Sequence, residues 1–110
     1  MINIEISKEK NGYHITSSGH SGYAPQGEDI VCAAVSAIML HMSMVSAEFN
    51  DGKLEEMREG YIRVFLPKNE TTELIIEALE STLRTLRIRY GDYVTHHIAQ
   101  GGDEKNKDSL

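Results

Sequence analysis

The sequence has few of the residues that stiffen or cross-link a small protein. Its 110 residues include no tryptophan, two prolines and one cysteine. A single cysteine has no partner for an internal disulfide, so we expect a fold that does not depend on one, as in the reducing cytoplasm. The N-terminal residues 1–7, MINIEIS, alternate in polarity and include Glu5, which is not typical of a secretory signal peptide.

Positive charge is also scarce. The chain has 11 Lys and Arg against 17 Asp and Glu, a formal net charge of −6 and a pI near 5.3. Proteins that bind nucleic acids usually carry a basic surface, so the composition argues against a direct nucleic-acid partner. A basic protein is a better match, because opposite net charge accelerates encounter.

Uninterrupted hydrophobic runs of membrane-spanning length are absent as well. The longest apolar segment, residues 30–47, is broken by five less apolar positions: Cys32, Ser36, His41, Ser43 and Ser46. This pattern predicts a buried core helix and no membrane association. With 40% hydrophobic and 25% charged residues, the chain has the composition of an ordinary globular domain.

Hydrophobic periodicity predicts seven elements in the order β-β-α-β-β-α-β. Alternating segments indicate strands, and Asn11-Gly12 is a favoured hairpin turn between the first two. The predicted strands cover residues 1–7, 13–17, 53–59, 61–67 and 93–98, and the predicted helices cover 30–49 and about 70–90. We expect one α+β domain over residues 1–100, a mostly antiparallel sheet with two helices packed on it. Residues 101–110 form a polar tail that we expect to be disordered.

The second helix has a predicted start, apolar stripe and end. Asn69 or Thr71 can cap its N-terminus, and Gly91 ends it. The predicted stripe facing the sheet contains Leu74, Ile75, Ala78, Leu79, Leu83 and Leu86.

The only cysteine, Cys32, falls in the first turn of the first predicted helix. Either Glu28 or Asp29 can cap that helix, and Asp29 is the better residue type. Unpaired N–H groups and the helix dipole favour an anion in a first turn, and such a position lowers the pKa of a cysteine in general. Free N–H groups there can also stabilise a developing oxyanion.

A candidate general base, His20, directly follows the second strand. A Cys–His pair requires proximity in the fold and sets no limit on sequence separation. The segment between them contains Gly22, Gly27 and Pro25, and its glycines permit unusual backbone angles. This loop is therefore a candidate lid over a substrate.

Other interpretations of these residues remain open at this point. A lone cysteine in an apolar helix is most often a small buried hydrophobe, and His20 can be a plain exposed loop residue. Ser36 shares a helix face with Cys32 and either packs against a strand or lines the site. A metal site formed by His20, Cys32 and His96 or His97 is conceivable, although no recognised ligand spacing supports it.

The remaining histidines and arginines have weaker claims to function. His41 lies nine residues after Cys32, which places it on about the opposite side of the helix axis and therefore outside the same site. Arg84, Arg87 and Arg89 lie in the last turns of the second helix, where positive charge complements the dipole. Contact with RNA is the second interpretation of these arginines.

Residues 19–36, GHSGYAPQGEDIVCAAVS, resemble the signature of the ribosomal-processing cysteine protease family known as Prp. That family shows a Gly-His motif, a short glycine-containing loop, and then an Asp-Ile-Val-Cys-Ala-Ala-Val-Ser run. Length and element order extend the resemblance over the whole chain. Ser21, Pro25 and Gln26 fall where the family varies, so the behaviour of the loop is less well specified.

The resemblance implies a cytoplasmic cysteine endopeptidase with no metal or other cofactor. Cys32 corresponds to the nucleophile and His20 to the general base and acid. The remaining family positions near the site, with substrate-binding or supporting roles, are Gly19, Gly22, Gly27, Asp29 and Ser36. The family's members are typically homodimers with a mobile loop over the site.

The family substrate is the large-subunit ribosomal protein number twenty-seven. Its N-terminal extension, which carries an apolar and aromatic stretch before the cut, is removed for ribosome assembly. The resemblance therefore implies an apolar groove beside Cys32. The rival hypothesis is a non-catalytic ribosome-associated or dimeric interaction module in which Cys32 is buried and inert.

Overall fold

The computed structural model describes residues 1–100 and has the predicted elements in the predicted order. The strands are β1 (Ile2–Glu9), β2 (Gly12–Ser18), β3 (Lys53–Arg58), β4 (Tyr61–Pro67) and β5 (Val94–Ala99), and the helices are α1 (Ile30–Phe49) and α2 (Glu70–Tyr90). The predicted α+β class is confirmed. The predicted tail, residues 101–110, lies outside the described residues.

The five strands form one sheet in the order β3-β4-β2-β1-β5. Three neighbouring pairs are antiparallel, and β1 pairs with β5 in parallel. The parallel pair arises because α2 carries the chain from β4 back to the opposite side of the sheet before β5 begins. β3 and β5 are thus the edge strands.

The core lies between one face of the sheet and the two helices. Alternate residues of the strands supply the sheet side, including Ile4, Ile15 and Val64, each of which is fully buried. Burying a side chain of this size contributes about 1.5–3 kcal/mol, so the alternation of period two determines which face the helices cover.

α1 is by length and composition apolar enough to cross a membrane, a character that core helices share. Its buried residues Val31, Val35, Met39 and Met42 recur every three or four positions and belong to the core cluster. Met44, by contrast, is 54% exposed, because it lies on the outer side of the helix.

α2 begins and ends as predicted, but its buried stripe is rotated. Asn69 caps it by accepting the N–H of Thr72 at 2.8 Å, and Gly91 follows its last residue. The buried residues are Thr72, Ile76, Leu79 and Leu83. Leu74, predicted to face the sheet, is 67% exposed because it lies about 200° around the helix from Thr72 and from Ile76.

Candidate active site

A cleft of about 520 Å³ lies between the start of α1, the β3–β4 turn and the residues that connect β2 to α1. We call residues 19–29 the site loop. All the residues predicted from the sequence to belong to the site line this cleft: Gly19, His20, Gly22, Gly27, Asp29, Cys32 and Ser36. For Ser36 this placement favours the second interpretation, a residue that lines the site. The fold therefore collects the candidate residues at one place.

Asp29 fixes the start of α1. Its Oδ1 accepts the backbone N–H of Val31 at 3.0 Å and that of Cys32 at 2.9 Å. The choice of Asp29 over Glu28 as the cap is thereby settled. Cys32 is a free, half-buried thiol in the first turn.

The expectation that the first turn offers free N–H groups is wrong for Val31 and Cys32. Asp29 Oδ1 accepts both of these N–H groups, and the N–H of Ala33 makes the first bond inside the helix, to the Asp29 carbonyl at 3.1 Å. A carboxylate cap accepts N–H groups of the first turn that would otherwise be unpaired. The N–H groups that Asp29 occupies are therefore not available to another anion. An oxyanion therefore needs a donor other than the N–H groups of Val31 and Cys32.

Ser21 supplies contacts that the sequence did not reveal. It is buried, and its backbone N–H donates to Cys32 Sγ at 3.4 Å. Its hydroxyl donates a close hydrogen bond to Asp29 Oδ2 and accepts the N–H of Tyr23 at 3.1 Å. Ser21 therefore ties the site loop both to the thiol and to the cap of α1. The only signal in the sequence was a polar residue beside His20, which is too common to identify such a role.

These hydrogen bonds keep Asp29 ionised. Burial by itself would raise the pKa of Asp29, but donors from Ser21, Cys32 and Ala24 outweigh it and lower the pKa to about 2. A carboxylate that accepts several hydrogen bonds is stabilised in its charged form. The charge at the start of α1 is therefore maintained throughout the physiological range of pH.

The variant Asp29→Asn tests this network. The pKa in the folded chain, about 2, lies below the ordinary value of 3.8, so the charge contributes stability above that value. The contribution is lost as pH falls through the folded-state pKa. We expect the native chain to lose stability more steeply than the variant between about pH 4 and pH 2. Denaturant unfolding at a series of pH values measures both slopes, and equal slopes would contradict the network.

His20 lies against the β3–β4 turn. The N–H of Gly19 donates to the Gly60 carbonyl at 2.9 Å, and a Cβ added to Gly60 would stand 2.9 Å from His20 Nε2. The imidazole is exposed, and within residues 1–100 no hydrogen bond joins it to the Cys32 thiol. The two candidate residues thus line one cleft without a hydrogen bond between them. Gly60 was not singled out from the sequence, because it lies 40 positions after His20.

The site loop is held on both sides of the cleft. Tyr23 packs edge-on against Tyr90 and Tyr93, with ring centroids 5.8 and 5.2 Å away. Gln26 Nε2 donates to Glu59 Oε1 at 2.6 Å across to the β3–β4 turn. The loop therefore spans the cleft from the end of α2 to that turn.

The structure leaves the other candidate histidines outside the cleft. His41 lines a separate groove between α1 and α2, as its angular offset from Cys32 predicts. His96 bonds to Arg87 at 3.2 Å, and the exposed His97 bonds to Glu5 at 3.1 Å. Among residues 1–100 no group of three His, Cys, Asp or Glu could hold a metal ion, so the metal interpretation is not supported.

The arginines at the end of α2 have structural partners. Arg87 reaches His96 on β5, Arg84 pairs with Glu80 at 3.5 Å, and Arg89 lies over the ring of Tyr90. These contacts favour the structural interpretation over RNA contact.

Comparison with known proteins points to one family. The family model described as cysteine protease Prp matches residues 1–95. The ribosomal processing cysteine protease Prp of Mycoplasma pneumoniae is 49% identical over 39 residues, which cover 36% of this chain and 35% of that protein. The match therefore spans about a third of that relative's length.

Two solved structures share the fold. One is an essential ribosomal processing protease Prp from S. aureus with a covalently linked product peptide. It has a TM-score of 0.77 at 19% identity and covers 89% of this chain and 99% of that one. A protein from Streptococcus mutans has a TM-score of 0.72 at 25% identity, covering 91% and 98%.

Proposed function

The chain belongs to the Prp cysteine protease family, and from that membership we propose that it removes the N-terminal extension of the large-subunit ribosomal protein number twenty-seven, with Cys32 and His20 as its catalytic dyad. The observation that carries this proposal is the convergence of the signature residues on one cleft at the start of α1. A cleft with a half-buried thiol on one wall and an imidazole on another is suited to acyl transfer.

The proposed reaction begins with transfer of the Cys32 proton to His20. The thiolate attacks the scissile carbonyl and forms a carbon–sulfur bond, and the carbon–nitrogen bond then breaks as the imidazolium returns the proton to the leaving amine. Water activated by the same imidazole hydrolyses the acyl-enzyme and restores the thiol. No step requires a metal or another cofactor.

The oxyanion needs a donor other than the occupied N–H groups of α1. The backbone N–H of Ser21 already points at Cys32 Sγ, 3.4 Å away, and is the donor best placed to assist. A fixed backbone donor aimed at developing charge is among the larger contributions to catalysis in acyl transfer.

His20 completes the dyad by turning towards the thiol across the face of Gly60, with which its imidazole stays in contact. It is exposed, so the rotation crosses no packed core. Catalytic hydrogen bonds are often long or unformed in a free enzyme and tighten when the substrate binds. Substrate bound under the site loop favours the position of the imidazole beside the Cys32 thiol.

Two further expectations belong to this proposal: a cytoplasmic location and a homodimer. A free, half-buried thiol suits a reducing compartment. An apolar groove between α1 and α2, which contains Ile38, Val45 and Ile75, supports association of two copies. Sedimentation at micromolar concentration tests the dimer, and a monomer there would contradict it.

The experiment for the substrate uses the ribosomal protein itself. We expect incubation with the native chain under reducing conditions to give one cut, at the end of the extension, detected as two masses by intact mass spectrometry. The same ribosomal protein made without its extension is the matched control and should remain whole. If the extended protein also remains whole while the chain is folded, the proposed substrate is wrong. Binding without cleavage would favour the non-catalytic interaction module.

A further inference from the structure

Met57 is an apolar side chain left exposed at the cleft. It pairs with the buried Ile62 across β3 and β4, which places it on the helix-covered face of the sheet. Leu54, on the same face of β3, packs against the core, whereas Met57 is 54% exposed. Met57 lines the cleft together with Cys32 and Ala33. When another apolar group covers this side chain, apolar surface is removed from water, and the free energy of binding becomes more favourable.

The backbone at Met57 is also available for pairing. Within residues 1–100, β3 pairs with β4 alone, and Arg58 pairs with Tyr61 across a two-residue turn. Residues that flank such a turn exchange hydrogen bonds, and the next pair along the ladder does not. The N–H and C=O of Met57 therefore point to the free edge of the sheet.

The contacts that hold the site loop limit the path that a bound peptide can take through the cleft. It is tied to the β3–β4 turn by Gln26 and Glu59, and to the end of α2 by Tyr23. Met57 and Arg58, the last residues of β3, line the same cleft as Cys32, so an extended segment paired with them lies at that cleft. Its side chains alternate, so every second one faces the wall made by Met57, Ala33 and Ile62.

We propose that the substrate binds as an added strand on the free edge of β3, with one apolar side chain packed against Met57. This proposal rests on the proposed peptidase function and states how that site holds its substrate. Main-chain hydrogen bonds give such a complex its affinity, and the pocket for alternate side chains gives its specificity. Met57 is then a specificity residue that touches the substrate without taking part in the chemistry.

The first test compares Met57→Ala with Met44→Ala. Both methionines are 54% exposed, and Met44 lies on the outer side of α1, away from the cleft. On a synthetic peptide spanning the junction of the ribosomal extension, we expect Met57→Ala to raise KM about tenfold with little change in kcat. Met44→Ala should behave like the native chain. Equal KM values for both variants and the native chain would overturn the role of Met57.

The second test replaces single backbone N–H groups of that peptide by N-methyl groups. Added-strand binding predicts slower cleavage for every second position, because alternate residues of a strand pair with its neighbour. A loss of cleavage rate that does not alternate along the peptide would overturn the strand pairing. If the native chain leaves the unmodified peptide whole, the proposed function fails together with this inference. If it cuts all peptides equally, only this inference fails.

Discussion

Cys32→Ala should remove the cleavage activity and leave the fold intact. The thiol supplies the bond that carries the acyl group, and an alanine methyl group cannot replace it. We expect kcat to fall by about a thousandfold or more, since loss of a covalent nucleophile leaves only binding and oxyanion stabilisation. Cys32 is half-buried, and the change removes one sulfur atom, so thermal unfolding should shift little.

The matched control is Ala34→Ser, two positions along α1 and outside the cleft lining. It adds one polar atom to the same helix without touching the nucleophile or the cleft, and it should keep most of the activity. Both variants are measured for peptide cleavage and for thermal unfolding. Cleavage by Cys32→Ala at the native rate would show that the nucleophile lies elsewhere.

Gly60→Ala should impair catalysis, although Gly60 lies outside the signature residues 19–36. Gly60 has a φ of +73°, which favours glycine, and an added Cβ would stand 2.9 Å from His20 Nε2. The imidazole is the free end of an exposed side chain, so it moves aside more readily than the turn does. We expect kcat to fall by about tenfold or more, because a base displaced by an ångström transfers protons poorly.

Gly22→Ala separates backbone strain from displacement of His20. Gly22 has a φ of +75°, nearly that of Gly60, and an added Cβ there meets nothing within 4 Å. Both variants should lose about 1 kcal/mol of stability, the usual cost of a left-handed alanine. The loss of kcat should be clearly larger for Gly60→Ala. Equal losses would mean that contact with Gly60 does not position the imidazole.

Local patterns were enough to predict most of the fold. The period of two in β1, β2 and β4 identified the strands, and the capping residues Asp29 and Asn69 identified the helix starts. The position of β5 was not predictable in this way. Its parallel pairing with β1 depends on where α2 returns the chain, and no single segment encodes that path. The rotation of the α2 stripe was missed because Leu74 and Ile76 are equally apolar in the sequence.

The site was predictable as a set of residues but not as a network. The signature places Cys32 at a helix start and His20 after a strand, and both line the cleft. The contacts made by Ser21 were not visible, because a serine in a polar loop has many common uses. The occupied N–H groups of α1 were mispredicted for a related reason. Residue type identified Asp29 as the cap, but the consequence for oxyanion binding follows only from its hydrogen bonds.

The proposed dyad requires that His20 activates Cys32, and alkylation of the thiol measures this activation. The rate of reaction with a chloromethyl ketone of the extension peptide, which occupies the cleft as a substrate does, is measured by mass spectrometry from about pH 5 to pH 9 for the native chain and for His20→Gln. We expect the native chain to react readily at about pH 6 and His20→Gln to react there much more slowly. A Cys32 thiol that barely reacts in either protein, or reacts identically in both, would contradict the proposed dyad.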